Sequence, residues 1–337
     1  MAVRITRQQL IRFRARVSHL DRKLAPGSFA EAAAVGLQDS VPRGAVIALH
    51  ARVEDTRPDS WEDPALAQIW FRGGADYLVP RADVGVFTLG SYPRDPDEAA
   101  RLERLADEID RVTAGETLNV GEVSERLALR HPTEIRRVAV TGRAHIRWDA
   151  SNIWLIPVER PAIDPEDARR ELARRHLRAF APSTVKRLAT WTGVTPRDAA
   201  ATWRALEPEL AEVAVEGIDE RRFMLERDVE ELRAGNRPLH GVRLVPFDDA
   251  FTKLDRDLLV PNPEHRDHAF PPVGTLRGYI PGVVLVDGAI VGVWQRQQRK
   301  VAVHPWRRLA AAEGAAIEAE ALALPIAGAS KASVTWA

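Results

Sequence analysis

The chain has 337 residues, with 48 basic and 48 acidic side chains and no net charge at neutral pH. That balance excludes a uniformly basic nucleic-acid coat, and the lack of cysteine excludes disulfides, thiolate catalysis and cysteine-based zinc or iron–sulfur sites. The composition is 45% apolar, with no apolar run near the ~18 residues of a membrane span, which suits a globular protein of two or three domains.

The N-terminal stretch MAVRITRQQLIRFRARV has no continuous apolar core of a secretory signal, so a cytoplasmic location is expected. Leu10, Phe13 and Val17 recur at helical spacing, and Thr6–His19 reads as a helix capped by Thr6. Ser28–Val53 then reads as helix, break, helix. Ala30–Gly36 is the first piece, Gln38-Asp39-Ser40 a polar loop, and Val41-Pro42 opens a second helix running to about Val53. That order is the core of a helix-turn-helix. Gln68–Arg72 and Ala75–Pro80 flank Gly73-Gly74 and form a hairpin, which makes residues 1–91 a winged helix.

The order repeats over 92–162. Asp97–Thr113 is a helix capped by Asp95 or Asp97, Asn119–Leu129 a second and His131–Arg137 a third. Val138–Trp148 and Ile153–Val158 form a hairpin through the turn-rich residues 149–152. It repeats again over 163–238, with helices at Asp164–Phe180, Ser183–Thr192 and Thr195–Leu206, then a hairpin of Ala211–Val215 and Arg221–Leu225. Residues 239–337 differ. Strands are expected at Val242–Pro246, Gly278–Val286, Ala289–Gln295 and Val301–His304, with Asp287-Gly288 a strong hairpin signal. A helix over Trp306–Leu322 closes the chain, and the last residues read as frayed. The fold class is therefore α+β, mainly α: three tandem winged-helix units with a small C-terminal β-barrel-like domain.

The basic residues are almost all arginine, the lysines being Lys23, Lys186, Lys253, Lys300 and Lys331. Two local basic patches stand out. Seven basic residues before Ala25 face only Asp21, and Arg130, Arg136, Arg137, Arg143 and Arg147 face only Glu134. Such patches on a neutral protein suit a phosphate-tracking cleft, or else two solvated helix faces.

Several pieces, in this order and spacing, resemble the AlkZ/YcaQ family of winged-helix DNA glycosylases: GLQDS with RGAVIALHARV, IWFRGGADYLV, VTGRAHIRWDASNIWLIPVE, RRHLRAFAPSTVKRLATWTGV and PGVVLVDGAIVGVW. They run from about Gln8 to Arg308. The resemblance implies three tandem winged helices plus a C-terminal β-barrel, DNA binding and excision of bulky alkylated bases, with members that unhook interstrand crosslinks; a monomer acting on double-stranded DNA is expected. The residues themselves show no Gly-rich phosphate loop, Gly73-Gly74 being a hairpin turn, so no nucleotide or metal cofactor is expected. The family motif is Gln–hydrophobic–Gln or Gln–hydrophobic–Asp. Here it stands as Gln38-Asp39-Ser40, acidic in the middle and a hydroxyl at the end. These are the candidate catalytic residues, and Arg43, Arg72, Arg136, Arg137, Arg143 and Arg147 are the candidate DNA contacts.

Cutting an N-glycosidic bond builds positive charge on the sugar, which a dipole or carboxylate beneath it stabilises while a water is oriented. If residues 38–40 are extended, Gln38 and Ser40 share a face and Asp39 points away. If the loop turns, Asp39 points in. Asp39 or Ser40 could instead cap the helix entered at Val41-Pro42. Asp248 and Asp249 either line the cleft or serve in a turn or cap, the commoner role. Glu264-His265-Arg266-Asp267-His268, bounded by Pro261, Pro263 and Pro271, reads as a loop and not as a metal site. Trp148, Trp154, Trp191 and Trp203 read as core. The rival to catalysis is a non-catalytic winged-helix DNA binder for damage recognition, toxin resistance or regulation.

Overall fold

Capping side chains set the helices. Thr6 opens Arg7–Val17: its hydroxyl accepts from the Gln9 amide at 3.2 Å, and the Gln9 side chain accepts from the Thr6 amide at 2.8 Å. Asp95, Asp164 and Thr195 cap Pro96–Thr113, Pro165–Ala179 and Pro196–Leu206, each with proline in the first turn, where no amide hydrogen is needed. Thr184 opens Val185–Thr192, and Gly193, at φ +77°, closes it. The computed structural model describes residues 2–40, 43–234, 239–271, 280–328 and 332–337.

In chain order the strands are β1 (Val3–Ile5), β2 (Leu37–Gln38), β3 (Leu66–Phe71), β4 (Ala75–Pro80), β5 (Leu118–Asn119), β6 (Ala144–Trp148), β7 (Ile153–Pro157), β8 (Leu210–Val215), β9 (Arg222–Leu225), β10 (Val242–Val245), β11 (Gly282–Val286), β12 (Ala289–Gln297), β13 (Lys300–Pro305) and β14 (Ser333–Trp336). The first two hairpins, β3–β4 and β6–β7, lie in one six-stranded sheet of order β2-β4-β3-β6-β7-β5, joined where Gln68 pairs with Ile146. The third hairpin, β8–β9, takes β1 as a parallel partner.

Several expectations need correction. Among the described residues of 239–337 there is no closed barrel: β10-β11-β12-β13-β14 is an open five-stranded sheet, with the helix Ala311–Leu322 packed on it. The chain end is not frayed, because Ser333–Trp336 pairs in parallel with Lys300–Val303. Residues 138–141 belong to the 3-10 helix Pro132–Thr141 and not to a strand; Gly142, at φ +74°, ends it. Glu264–His268 lies in the helix Pro263–Ala269, which Asn262 caps. Residues 37–38 are a strand and not part of a helix-turn-helix loop, because Leu37 and Gln38 pair with Leu78 and Tyr77. The helix after them runs Gly44–His50; its expected opening at Val41-Pro42, and the strand start at Gly278, lie outside the described residues.

Buried ion pairs tie the distant segments together. Asp249 receives both terminal nitrogens of Arg52, at 2.8 and 2.7 Å, and neither side chain is exposed to more than 2%. Asp255 is met by Arg14 at 2.6 Å, Arg187 at 2.7 Å and Arg222 at 3.1 Å. Residues 248–255 are thereby clamped between the N-terminal helix and the third hairpin. Phe71 packs edge-on against Tyr77, Phe87 and Trp191 at centroid distances of 5.2 to 5.5 Å, joining the first hairpin to the helix Val185–Thr192. Trp191 and Trp203 are core residues, whereas Trp148 and Trp154 are half-buried on the β6–β7 hairpin.

Candidate active site

Strand β2 decides where the Gln38-Asp39-Ser40 side chains go. Alternation along an extended chain sends Gln38 and Ser40 to one side and Asp39 to the other. The Gln38 side-chain nitrogen lies 3.2 Å from the Ser40 hydroxyl oxygen, Ser40 is exposed and Gln38 is half-buried. Asp39 is fully buried. Its Oδ1 accepts from the Ala45 amide at 3.0 Å in the first turn of Gly44–His50, and its Oδ2 accepts from Arg43 and Gln68, each at 3.3 Å. Burial pushes the Asp39 carboxyl up to about 6, against the pull of the Ala45 amide and Arg43. Asp39 is a helix-capping residue of the interior.

The Gln38 amide sits in a polar cluster made with residues 248–253. Its oxygen accepts from the Tyr77 hydroxyl at 3.1 Å and from the Lys253 ammonium. Its nitrogen donates to Asp248 Oδ2 at 3.3 Å as well as to Ser40. Lys253 can only donate and a carboxylate can only accept, so these partners fix which end of the amide faces which way. Lys253 also donates to Asp248 Oδ1 at 2.8 Å. Burial lowers the Lys253 ammonium from its ordinary value, with Asp248 acting against that, and pushes the Tyr77 phenol up to about 12. Asp248 is held at φ +61°, a left-handed conformation that aims its carboxylate back at β2.

The arginines separate into engaged and cleft-lining groups. Arg43 and Arg147 flank the Trp61 ring, their guanidinium carbons 3.9 and 5.3 Å from its centroid. Arg43 also donates to the Trp148 carbonyl at 3.2 Å, and Arg147 pairs with Glu62 at 2.6 Å. Arg143 is spanned by three carboxylates, Asp107 at 2.7 Å, Glu103 at 3.4 Å and Asp110. Arg72, Arg136 and Arg137 line a cleft of about 1020 Å³ together with Arg94, Arg197 and Arg204. There Arg136 donates to the Gly74 carbonyl at 2.7 Å, Arg137 pairs with Glu98 at 2.7 Å and Arg72 donates to the Thr190 carbonyl at 3.0 Å. Gln38 does not line this cleft; Arg72 borders it and acts electrostatically on Tyr77 and Lys253. Of the N-terminal basic patch, Arg14 is buried against Asp255 and Arg7 donates to the Leu258 carbonyl.

The family model described as "DNA glycosylase AlkZ-like" matches residues 30–325. The chain belongs to the AlkZ-like DNA glycosylase family. The curated Streptomyces sahachiroi protein named "Interstrand DNA cross-link repair glycosylase" is 31% identical over 148 residues, covering 42% of this chain and 38% of that protein. The matched stretch thus spans well under half of that relative. The solved structure of Streptomyces sahachiroi DNA glycosylase AlkZ superposes with a TM-score of 0.77 at 21% identity, covering 99% of this chain and 100% of that one, a likeness of fold.

Within this AlkZ-like chain, sequence reasoning missed Tyr77 and Lys253. Tyr77 looked like an ordinary strand residue; its place opposite Gln38 follows from the β2–β4 pairing. Lys253 did carry a signal, as one of five lysines in a chain that otherwise uses arginine. The Asp248-Asp249 pair divides: Asp249 caps the turn after it, accepting from the Phe251 amide at 2.9 Å, while Asp248 joins the site. The histidines of Pro263–Ala269 are engaged elsewhere, His265 stacked on Trp306 at 4.5 Å and His268 accepting from the Trp306 ring N–H at 3.2 Å.

Proposed function

We propose that the protein is a monofunctional DNA glycosylase that hydrolyses the N-glycosidic bond of bulky alkylated bases, crosslinked ones included, in double-stranded DNA. The observation that carries this reading is a family match over residues 30–325 that includes Gln38, whose amide stands in a half-open polar cluster on β2. The relative named as a crosslink repair glycosylase supports the substrate class. We read residues 1–91, 92–162 and 163–238 as winged helices, since each supplies helices followed by a hairpin, with 239–337 as a fourth unit. Arg43, Arg72, Arg136, Arg137 and Arg147 are proposed as DNA contacts, acting as a monomer in the cytoplasm, associated with the nucleoid. Phosphate contacts position a duplex without reading its sequence, which suits an enzyme directed by the lesion.

The test is a gel assay on a duplex carrying an alkylated purine. Base release leaves an abasic site that alkali converts to a strand break. Wild type should release the base, and Gln38→Ala should lose most of that activity. If wild type leaves the lesion in place, the enzyme reading fails. The second reading, a non-catalytic duplex binder, is favoured by one observation: the middle residue of the motif is committed to the interior and the last is a neutral hydroxyl. It predicts duplex affinity that falls steeply with salt, without base release.

A further inference from the structure

The hydrogen-bonding capacity of Gln38 is fully used by the protein. A primary amide has two acceptor sites on its oxygen and two donor hydrogens on its nitrogen. Tyr77 and Lys253 fill the acceptors, and Asp248 and Ser40 take the hydrogens. An amide in that state has nothing left with which to grip a water. Asp248 is different. Each of its oxygens takes one hydrogen bond, from Lys253 and from Gln38, which leaves the other lone pairs of an ionised carboxylate unused. Its side chain is 23% exposed, whereas that of Asp39 is 0% exposed and points away. Arg256, at 3.9 Å, completes the positive surround. Ser40, exposed on the same side, can hold a water but is too weak a base to deprotonate it.

We propose that Asp248 is the catalytic carboxylate of this site, with Gln38 and Lys253 as its positioning residues. In a chain whose motif ends in serine, the acid arrives from a segment 210 residues away, at the same end of the Gln38 side chain. The inference rests on the glycosylase reading and assigns its base. The water oxygen bonds to C1′ of the deoxyribose as the C1′–N bond breaks. The electron pair of that bond goes to the ring nitrogen of the base, which, being alkylated and cationic, leaves neutral. The water proton passes to the Asp248 carboxylate and from there to solvent. Before the transfer, the carboxylate faces the positive charge growing on the sugar.

The experiment is single-turnover base release from a duplex with one N7-alkylated guanine, alongside duplex affinity by fluorescence anisotropy and thermal melting. Asp248→Asn keeps the shape and one acceptor for Gln38, but it gives up the ion pair with Lys253 and cannot take a proton. Its release rate should fall about 100-fold or more, the usual scale of general-base loss, with duplex affinity unchanged and melting no lower than that of Lys253→Met, which breaks the same ion pair but keeps the carboxylate. Adding Ser40→Asp to Asp248→Asn places a carboxylate on the same side of Gln38 and should recover part of the rate. If Asp248→Asn matches an active wild type, this proposal falls and the glycosylase reading stands. If wild type releases no base, both fall. If Asp248→Asn loses duplex affinity, or melts earlier than Lys253→Met, the carboxylate is structural and the proposal is overturned.

Discussion

Asp39→Asn separates an interior role of the motif's middle residue from a catalytic one. The Asp39 carboxyl has an ordinary value of 3.8 and sits at about 6 in the fold, chiefly because burial disfavours its charge. A raised folded value means that the native state holds the proton more tightly than the unfolded chain does. The associated stability is present below the unfolded value and is lost as pH rises through about 6. Two units correspond to about 3 kcal/mol, and full burial of the side chain removes the need to discount for solvent screening. Asparagine has no proton to lose, and its oxygen can still accept from the Ala45 amide. Relative to wild type, Asp39→Asn should therefore gain about 3 kcal/mol between pH 3 and pH 7, with the change centred in the window set by those two values. Urea unfolding of both proteins at half-unit steps of pH measures the difference directly. Carboxylates with lowered values elsewhere, such as Asp255 and Glu320, titrate in both proteins and cancel. A difference that stays flat with pH would refute the reasoning, and a loss of base release without loss of stability would return Asp39 to the chemistry.

Four further outcomes follow from the same contacts. Arg52→Ala strands the Asp249 carboxylate in the interior and should cost about 3–5 kcal/mol, read as a lowered urea midpoint with an unchanged slope. Gly36→Ala puts a side chain at φ +76°, with its Cβ 3.1 Å from the Tyr77 ring and 3.2 Å from Phe87. It should cost about 1–2 kcal/mol from the left-handed conformation alone, and by moving Tyr77 off the Gln38 oxygen it should slow base release. Arg197 and Arg204 are exposed on one face of Pro196–Leu206, and replacing both with alanine should flatten the slope of log affinity against log salt by roughly 2, near 0.9 per phosphate lost. Arg143→Ala should leave that slope unchanged, because Arg143 already answers to Glu103, Asp107 and Asp110.

Local chemistry was legible in the chain itself. Thr6, Asp95, Asp164 and Thr195 announce helix starts because a side-chain oxygen next to an apolar-periodic run has an orphan amide to satisfy, whereas the helix expected from Ser183 is capped one residue later, by Thr184. Gly73-Gly74 and Asp287-Gly288 announce hairpins because those turns need positive φ. Gln38 could be singled out, and the alternation that places Ser40 beside it follows from extended backbone once β2 is known. That β2 is a strand at all was not legible. Two residues carry no period, and the strand exists because β4 offers Tyr77 and Leu78 as partners. The merging of two hairpins into one sheet turns on Gln68 against Ile146, and the open sheet at the C-terminus on Ser333–Trp336 finding β13. The burial of Asp39 and the approach of Asp248 and Lys253 to Gln38 belong with these. Each is a contact between segments far apart in the chain, where local spacing carries no information. Only the clamped geometry of Arg52 on Asp249, and of three arginines on Asp255, determines which side chains meet.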